Sequence, residues 1–371
     1  MLEWGEPAPY FGAAAPVNPK FDFSSLAGRF VVLVFFGHSG ITEARKALAE
    51  IAENVRARDD QTAVIFGVSA RKEDFSDPLV LKAFPPNRIF FDENWEIARK
   101  YGVLQTDSDG RQGGLSPTWF ILDPTLRLYS RGTLMHVDRL AHEVGKLPDP
   151  QYHGGQQRGS FAPVLVVPRV LTRSLCQKMI DYYNQGNARE SGFMRNIDGK
   201  TVGIKDASFK RRKDVDIEDE ELRRGLRLSL VRRLLPEIKK SFQFEATRIE
   251  RYIVACYDSQ TQGFFRAHRD NTTPGTAHRR FAVTINLNAD EFEGGELRFP
   301  EFGPRTYKAP TGGAVVFSCS LLHEALPVTA GTRYATLPFL YGTADAELRA
   351  KNLSNIVPSK SSESDIEVNQ P

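Results

Sequence analysis

Phe265-Arg266-Ala267-His268-Arg269-Asp270 is the stretch on which the reading of this 371-residue chain turns. A second histidine stands in Leu321-Leu322-His323-Glu324, and Arg333 follows ten residues after it. Two neutral imidazoles and one carboxylate on one face of an Fe(II) ion leave coordination positions open for an organic acid and O2. An arginine beyond the second histidine can hold the far carboxylate of that acid in a two-pronged clamp.

A lone His-x-Asp is weak, because chance supplies it in a chain with 7 histidines. The ordinary expectation for any one histidine is a surface position or a satisfied core position. Context shifts the balance. Downstream of residue 160 the histidines are His268, His278 and His323, and two of these fill the required places. The sequence between them has room for the strands of a jelly roll. Strand-like runs occur at Ile249-Glu250-Arg251-Tyr252-Ile253-Val254-Ala255-Cys256-Tyr257, at Phe281-Ala282-Val283-Thr284-Ile285-Asn286-Leu287-Asn288 and at Glu296-Leu297-Arg298-Phe299. Gly313-Ala314-Val315-Val316-Phe317-Ser318 and residues 333–341 are two more. Short strands separated by Gly, Pro and Asn turns predict a sandwiched antiparallel sheet. The expectation is an iron- and 2-oxoglutarate-dependent oxygenase with His268, Asp270 and His323 as ligands.

The text of residues 248–341 supports a family resemblance. Ala255-Cys256-Tyr257 is followed by His268-x-Asp270, Ile285-Asn286-Leu287-Asn288 and Gly294-Gly295-Glu296-Leu297. His323-x(3)-Pro327-Val328-x(2)-Gly331-x-Arg333-Tyr334-Ala335 completes the set. Together these resemble the prolyl-4-hydroxylase-like branch of the Fe(II)/2-oxoglutarate dioxygenases. The resemblance implies that His268, Asp270 and His323 bind Fe(II) and that Arg333 pairs with the distal carboxylate of 2-oxoglutarate. It also implies that the Tyr257 hydroxyl touches the same cosubstrate. A second tyrosine of some members falls on Asn286, which leaves Asn286 as a cosubstrate-side candidate of altered chemistry. O2 and 2-oxoglutarate would be consumed together, with succinate released, and ascorbate is an auxiliary reductant to consider. Asp270 occupies a position that a halide would need, so hydroxylation is expected over halogenation. Relatives that repair alkylated nucleic acid carry a second arginine six residues after the first, and this chain has Phe339 there. A nucleic-acid substrate is disfavoured accordingly. The expected substrate is a peptide, a protein or a small molecule.

Asn271-Thr272-Thr273-Pro274-Gly275-Thr276-Ala277-His278-Arg279-Arg280 is polar and punctuated by Gly and Pro, and it adjoins Asp270. It is expected to be a mobile, substrate-facing loop, with His278 on the surface.

The first 147 residues form a different unit. Phe30-Val31-Val32-Leu33-Val34-Phe35-Phe36 has no alternation and predicts a strand covered on both faces. Residues 42–58 predict an amphipathic helix with Ala44, Ala47, Leu48, Ile51 and Val55 along one stripe. Further strands are expected at 63–68, 88–91, 118–122 and 127–130, and helices at 95–101 and 136–144. Gly5-Glu6-Pro7-Ala8-Pro9, Arg99-Lys100-Tyr101-Gly102-Val103 and Ser116-Pro117-Thr118 resemble a thioredoxin-like domain of the peroxiredoxin type. The reactive cysteine of that family should lie just after Phe36, where a helix N-terminus depresses a thiol pKa. This chain reads Gly37-His38-Ser39-Gly40, and Cys176, Cys256 and Cys319 all lie in the other half. A hydroxyl cannot replace a thiolate in that chemistry, so the domain is expected to be redox-inactive. Docking of a partner protein, help in binding substrate, homodimerisation and plain stabilisation of the fold are the roles left open for it.

The expected organisation is an α/β thioredoxin-like domain at residues 1–147, a Pro/Gly/Gln-rich linker at 148–160, and a double-stranded β-helix (jelly-roll) oxygenase domain with packing helices at 161–345. Residues 346–371 are expected to be a mostly disordered tail. Thr172 should cap a helix carrying Cys176, Met179, Ile180 and Tyr183. Residues 218–240 should form one long helix with Leu222, Leu226, Leu230, Leu234 and Leu235 inward. Net charge is +3, and the basic run Lys210-Arg211-Arg212-Lys213 reads as a solvated face. With the other arginines near the motif it could instead attract an anionic substrate. No apolar run approaches a membrane span and no secretory leader is visible, so a cytoplasmic protein is expected. Two other readings remain, a thiol redox protein and a non-catalytic interaction protein. The missing cysteine opposes the first, and the intact ligand set opposes the second.

Overall fold

The computed structural model describes residues 1–16, 18–55, 60–85, 88–106, 112–152, 161–356 and 366–367. It divides into two compact units, Met1–Phe161 with Pro300–Pro304, and Ala162–Phe299 with Arg305–Pro371.

In the first unit the apolar run Phe30–Gly37 is the centre of a seven-stranded sheet. It runs parallel to Ala63–Ser69 and antiparallel to Thr118–Leu122. Ile89–Phe91 continues the parallel side, and Leu128–Thr133 closes the other edge. Both faces are covered, which is why every residue of the central strand is buried. One face packs Val32, Val34 and Phe36 against Leu48 and Ile51 of the Thr42–Asn54 helix and Leu140 of the Val137–Gly145 helix. The other carries aromatic pairs such as Phe35 with Tyr101 and Phe66 with Phe90. Several elements were not anticipated, among them the paired strands Leu104–Thr106 and Gln112–Leu115. Gly12–Ala15 and Asn18–Asp22 form a hairpin at one sheet edge, and Pro78–Ala83 is a short helix. The helix had a legible start, since Asp77 accepts from the Leu79 and Val80 N–H groups and Pro78 fills the first turn. The helix expected over 42–58 ends at Asn54, and residues 56–59 lie outside the described part. The expected linker lies largely outside it too, at 153–160.

The second unit is built from antiparallel sheets. The larger runs Arg189–Glu190, Lys213–Asp216, Ile253–Asp258, Val328–Thr336, Phe281–Asn286, Phe339–Tyr341 and Arg248–Glu250. Ala314–Ser318 pairs with Phe281–Asn286, and Leu165–Val167 with Ala314–Ser318. A five-stranded sheet runs Lys210–Arg211, Phe264–His268, His323–Ala325, Leu297–Arg298 and Thr306–Tyr307. Cys176 and Met179 of the Arg173–Gln185 helix pack with Val254, Ile285 and Val316 of the larger sheet, and Thr172 caps that helix through the Leu175 N–H.

The long helix expected over 218–240 is instead two, Glu220–Arg233 and Leu235–Phe242. Pro236 lacks an N–H and its ring crowds the preceding turn, so the ladder breaks at Leu234. Leu222, Leu226, Leu230 and Leu234 are buried as expected, but Leu235 is only half-buried. The tail differs as well. Thr343–Asn352 is a helix whose Asp345 accepts from the Arg280 Nε at 2.6 Å. Ile366–Glu367 pairs with Arg248–Glu250, and the rest of the expected disordered tail, 357–365 and 368–371, lies outside the described residues.

Candidate active site

Strand pairing builds the site. In the ladder between Phe264–His268 and His323–Ala325, His268 stands directly opposite His323. Facing residues of neighbouring strands project their side chains to the same side. Asp270 follows, fixed by its N–H, which donates to the Cys319 carbonyl at 2.9 Å. Ligand atoms of His268, Asp270 and His323 all lie within 4.8 Å of one another. His268 Nε2 is 3.5 Å from Asp270 Oδ1, and His323 Nε2 is 3.3 Å from Asp270 Oδ2.

The other ring nitrogens set the tautomers. His268 Nδ1 donates to the Arg266 carbonyl at 2.7 Å, and His323 Nδ1 to the Leu321 carbonyl at 3.0 Å. A carbonyl only accepts, so each Nδ1 keeps its proton and each Nε2 presents a lone pair. Phe265 stacks on His268 at 3.6 Å between ring centroids, and Phe317 tilts over His323 at 4.5 Å. Burial, then the nearby His323, lowers the His268 pKa to about 4, so its imidazole is neutral at pH 7. Burial pushes Asp270 upward, but His323 and His268 outweigh it and hold the carboxyl well below its usual range. This donor set suits a hard-to-borderline divalent ion such as Fe(II).

Arg333 lies on Val328–Thr336, facing Tyr257 of Ile253–Asp258. It is 2 % exposed. Its Nε donates to Asn286 Oδ1 at 3.1 Å, and its guanidinium carbon lies 4.9 Å from the Tyr257 ring centre. Gly295 makes the space, since a Cβ there would stand 3.0 Å from Arg333 Cδ. Nη1 has no hydrogen-bond partner. A buried guanidinium with an unsatisfied fork is costly unless an anion completes it. Arg333 lines the same pocket as His268, Asp270 and His323.

Tyr257 also lines this pocket, and its hydroxyl accepts from Arg212 Nη1 at 3.3 Å. Asn286 does not line it. It is buried behind Arg333, with Nδ2 donating to the Ala309 carbonyl at 2.9 Å. Its place is to aim the guanidinium rather than to touch a ligand.

Two expectations are overturned around this pocket. Lys210 and Arg212 are buried, not part of a solvated face. Burial alternates along Lys210, Arg211, Arg212 and Lys213, so the strand period was the signal that could have separated inward from outward cations. Arg212 forks onto Asp214, with Nε 2.7 Å from Oδ1 and Nη2 2.6 Å from Oδ2. Nor is His278 at the surface. It is 1 % exposed, with Nε2 2.7 Å from Glu250 Oε2, and Arg279 Nε approaches the same carboxylate at 3.1 Å. The segment 271–280 is packed rather than loose: Thr273 caps the Pro274–Thr276 turn, and the Gly275 N–H donates to Thr201 Oγ1 at 2.8 Å. Neither the proline nor the glycine of that segment signalled this, because its partners Glu250 and Thr201 are remote in sequence.

In the first unit, Ser39 lies in the turn after the Phe30–Gly37 strand. Its Oγ donates to Asp74 Oδ1 at 2.6 Å, and Ser69 Oγ donates to Asp74 Oδ2 at 2.5 Å.

Comparison with known proteins agrees with both units. Residues 252–341 match the model of the 2OG-Fe(II) oxygenase superfamily, and residues 4–130 match that of the AhpC/TSA family. A PKHD-type hydroxylase of Cupriavidus metallidurans is 38% identical over 81 residues, 19% of this chain and 36% of that protein. A PKHD-type hydroxylase of Bordetella pertussis is 31% identical over 158 residues, 39% of this chain and 66% of that protein. The chain spans between 36% and 43% of the length of several such relatives. Among solved structures, a prolyl hydroxylase of Trichoplax adhaerens in complex with a hypoxia inducible factor peptide fragment aligns at 20% identity and TM-score 0.39. That alignment covers 51% of this chain and 86% of the other. The two family matches place a jelly-roll-type 2OG-Fe(II) oxygenase domain in the second unit and a thioredoxin-like AhpC/TSA domain in the first.

Proposed function

We propose, from a chain that joins an AhpC/TSA-type domain to a 2OG-Fe(II) oxygenase domain, that this protein is an Fe(II)- and 2-oxoglutarate-dependent C–H hydroxylase. The observation that carries the reading is the unsatisfied fork of Arg333 in the pocket of His268, Asp270 and His323. Those three residues hold Fe(II), and Arg333 with Tyr257 holds the distal carboxylate of 2-oxoglutarate. The metal, when bound, supplies the redox chemistry that couples decarboxylation of the keto acid to hydroxylation of a substrate C–H. The protein supplies position and dryness. Asn286 fixes the angle of Arg333, the Arg266 and Leu321 carbonyls fix the two imidazoles, and Phe265 and Phe317 shield them from water. The substrate is a peptide, a protein side chain or a small metabolite. Three free cysteines and an Fe(II) site suit the reducing cytoplasm, and among the described residues no helix is long and apolar enough to cross a membrane.

Anaerobic titration of the metal-free protein with Fe(II) and 2-oxoglutarate tests this. A weak visible charge-transfer band should appear in wild type and be absent from His268→Ala; no band in wild type, or the same band in the variant, refutes the assignment. Arg333→Ala should raise the 2-oxoglutarate requirement by about 100-fold or more, given the 3–5 kcal/mol typical of a broken buried charge pair. Iron affinity should change far less, and equal losses of both would contradict the role given to Arg333.

A further inference from the structure

Arg212 stands behind Tyr257 and fixes what the tyrosine hydroxyl can do. The phenol oxygen accepts from Arg212 Nη1 at 3.3 Å, and both side chains are buried. A guanidinium carries donors and no acceptor, so the phenolic proton cannot be spent on Arg212. Among the described residues the Tyr257 O–H donates to no other group. Tyr257 lines the pocket together with Arg333, whose guanidinium carbon lies 4.9 Å from the Tyr257 ring centre. The proton is therefore available to whatever the pocket holds.

Arg212 is in turn held on its other sides. Nε donates to Asp214 Oδ1 at 2.7 Å, and Nη2 donates to Asp214 Oδ2 at 2.6 Å. Nη2 also donates to Ser191 Oγ at 2.9 Å, and that hydroxyl donates to Asp214 Oδ2 at 2.5 Å. Backbone pairing sets this up. Asp214 faces Ala255 and Lys213 faces Cys256 in one antiparallel ladder, so Arg212 and Tyr257 stand one step further along it. Burial alone would lower the Arg212 pKa, but Asp214 outweighs it and lifts the pKa above its ordinary value, so the donor is permanent. Asp214 matches the charge, and every guanidinium nitrogen is engaged, so Arg212 acts on the pocket through the phenol. A hydrogen bond received at the phenol oxygen polarises its O–H and makes it a better donor.

We infer that Arg212 is a positioning residue for the keto acid: braced by Asp214, it turns the Tyr257 O–H into the pocket, where that proton and the Arg333 fork meet one carboxylate. This rests on the oxygenase reading above and deepens it. Asn286 holds the guanidinium arm of the clamp from behind, and Arg212 holds the phenol arm. A clamp that presents only donors fits an anionic distal group.

The test compares Arg212→Lys, Tyr257→Phe and the double variant in the full-length protein. Arg212→Lys leaves Asp214 a cation but removes the arm that reaches the phenol; Arg212→Gln serves if the lysine variant does not fold. In steady-state succinate release, Tyr257→Phe should raise the KM for 2-oxoglutarate about tenfold, and Arg212→Lys about 3- to 10-fold, the range for losing one hydrogen bond. The double variant should be no worse than Tyr257→Phe, because Arg212 acts through that hydroxyl. Independent roles would instead multiply to about 30- to 100-fold. kcat at saturating 2-oxoglutarate and Fe(II) affinity by anaerobic titration should hold in all three. A second readout needs no turnover. 2-Oxoglutarate should raise the melting temperature of the metal-free wild type, and the double variant should lose no more of that shift than Tyr257→Phe does. Losses that multiply in the double variant, an Arg212→Lys defect confined to kcat or Fe(II) affinity, or a 2-oxoglutarate KM untouched by Arg212→Lys would overturn the inference. A wild type that makes no succinate overturns the oxygenase reading instead, and the melting comparison then decides the Arg212 assignment alone. Neither succinate nor a melting shift in wild type overturns both.

Discussion

Asn286 touches Arg333 and not the pocket, and that position makes a sharp prediction. Asn286→Ala leaves Arg333 Nε without its acceptor and lets the fork swing. The KM for 2-oxoglutarate should rise about tenfold, in line with the 1–3 kcal/mol attached to an unsatisfied buried group. The Fe(II) dissociation constant should hold, and the two are read by steady-state succinate release and by anaerobic titration. Asp214 gives a pH prediction. Burial pushes its carboxyl up, but Arg212, Lys210 and Arg251 outweigh that and bring it down from 3.8 to about 2. A depressed folded pKa means that its stabilisation is complete above about pH 4 and drains away as pH falls through about 2. The amount is about 2 kcal/mol by linkage. Asp214→Asn should flatten that part of the stability curve in urea denaturation between about pH 4 and pH 2. It should also lower stability at neutral pH, because the buried Arg212 guanidinium loses the carboxylate it forks onto. The residues that the structure gathers in one pocket, His268, Asp270, His323 and Arg333, were legible in the sequence from their types and order. Glu250 with His278, and Asp214 with Arg212 and Arg251, were not. A buried ion pair is defined by a partner in space, and nothing local announces that partner.

Among the elements, the Val328–Thr336 strand matters most, because it carries Arg333 and borders Phe292–Gly294. Gly331 permits that approach. Its φ is +71°, and a Cβ would lie 2.2 Å from the Glu291 carbonyl oxygen. Gly331→Ala should therefore cost about 2 kcal/mol or more. Calorimetry would show a lower melting temperature for the oxygenase unit, and the 2-oxoglutarate requirement would rise with it. Strands of this kind were visible as apolar runs between turn residues, and the helix after Thr172 as a capped stripe. Failures came where one residue overrides a pattern. The apolar spacing of Leu222 to Leu234 continues past Pro236, yet the ring ends the helix there. The hairpin of Gly12–Ala15 and Asn18–Asp22 escaped notice because GAAA and NPKFD have neither alternation nor β-branched content.

At the scale of the whole molecule, two units that match different families share one chain, and all three cysteines lie in the second. Ser39 is bound to Asp74 where a thiolate would be needed, so the full-length protein should show no thiol-dependent hydroperoxide reduction above background in a coupled peroxidase assay. Turnover there would mean that Cys176, Cys256 or Cys319 is reactive, which the raised pKa of each thiol and the burial of Cys176 and Cys319 oppose. The oxygenase unit has the opposite property. His268 and His323 sit across a single pair of neighbouring strands, so an ion held by both would also rivet the smaller sheet together. Heat resistance of that unit then becomes a gauge of iron supply. Beyond saturation each tenfold rise in free ion adds about 1.4 kcal/mol to its hold on the fold. On the proposed reading, a cell starved of iron would carry a softer protein, easier for proteases to clear.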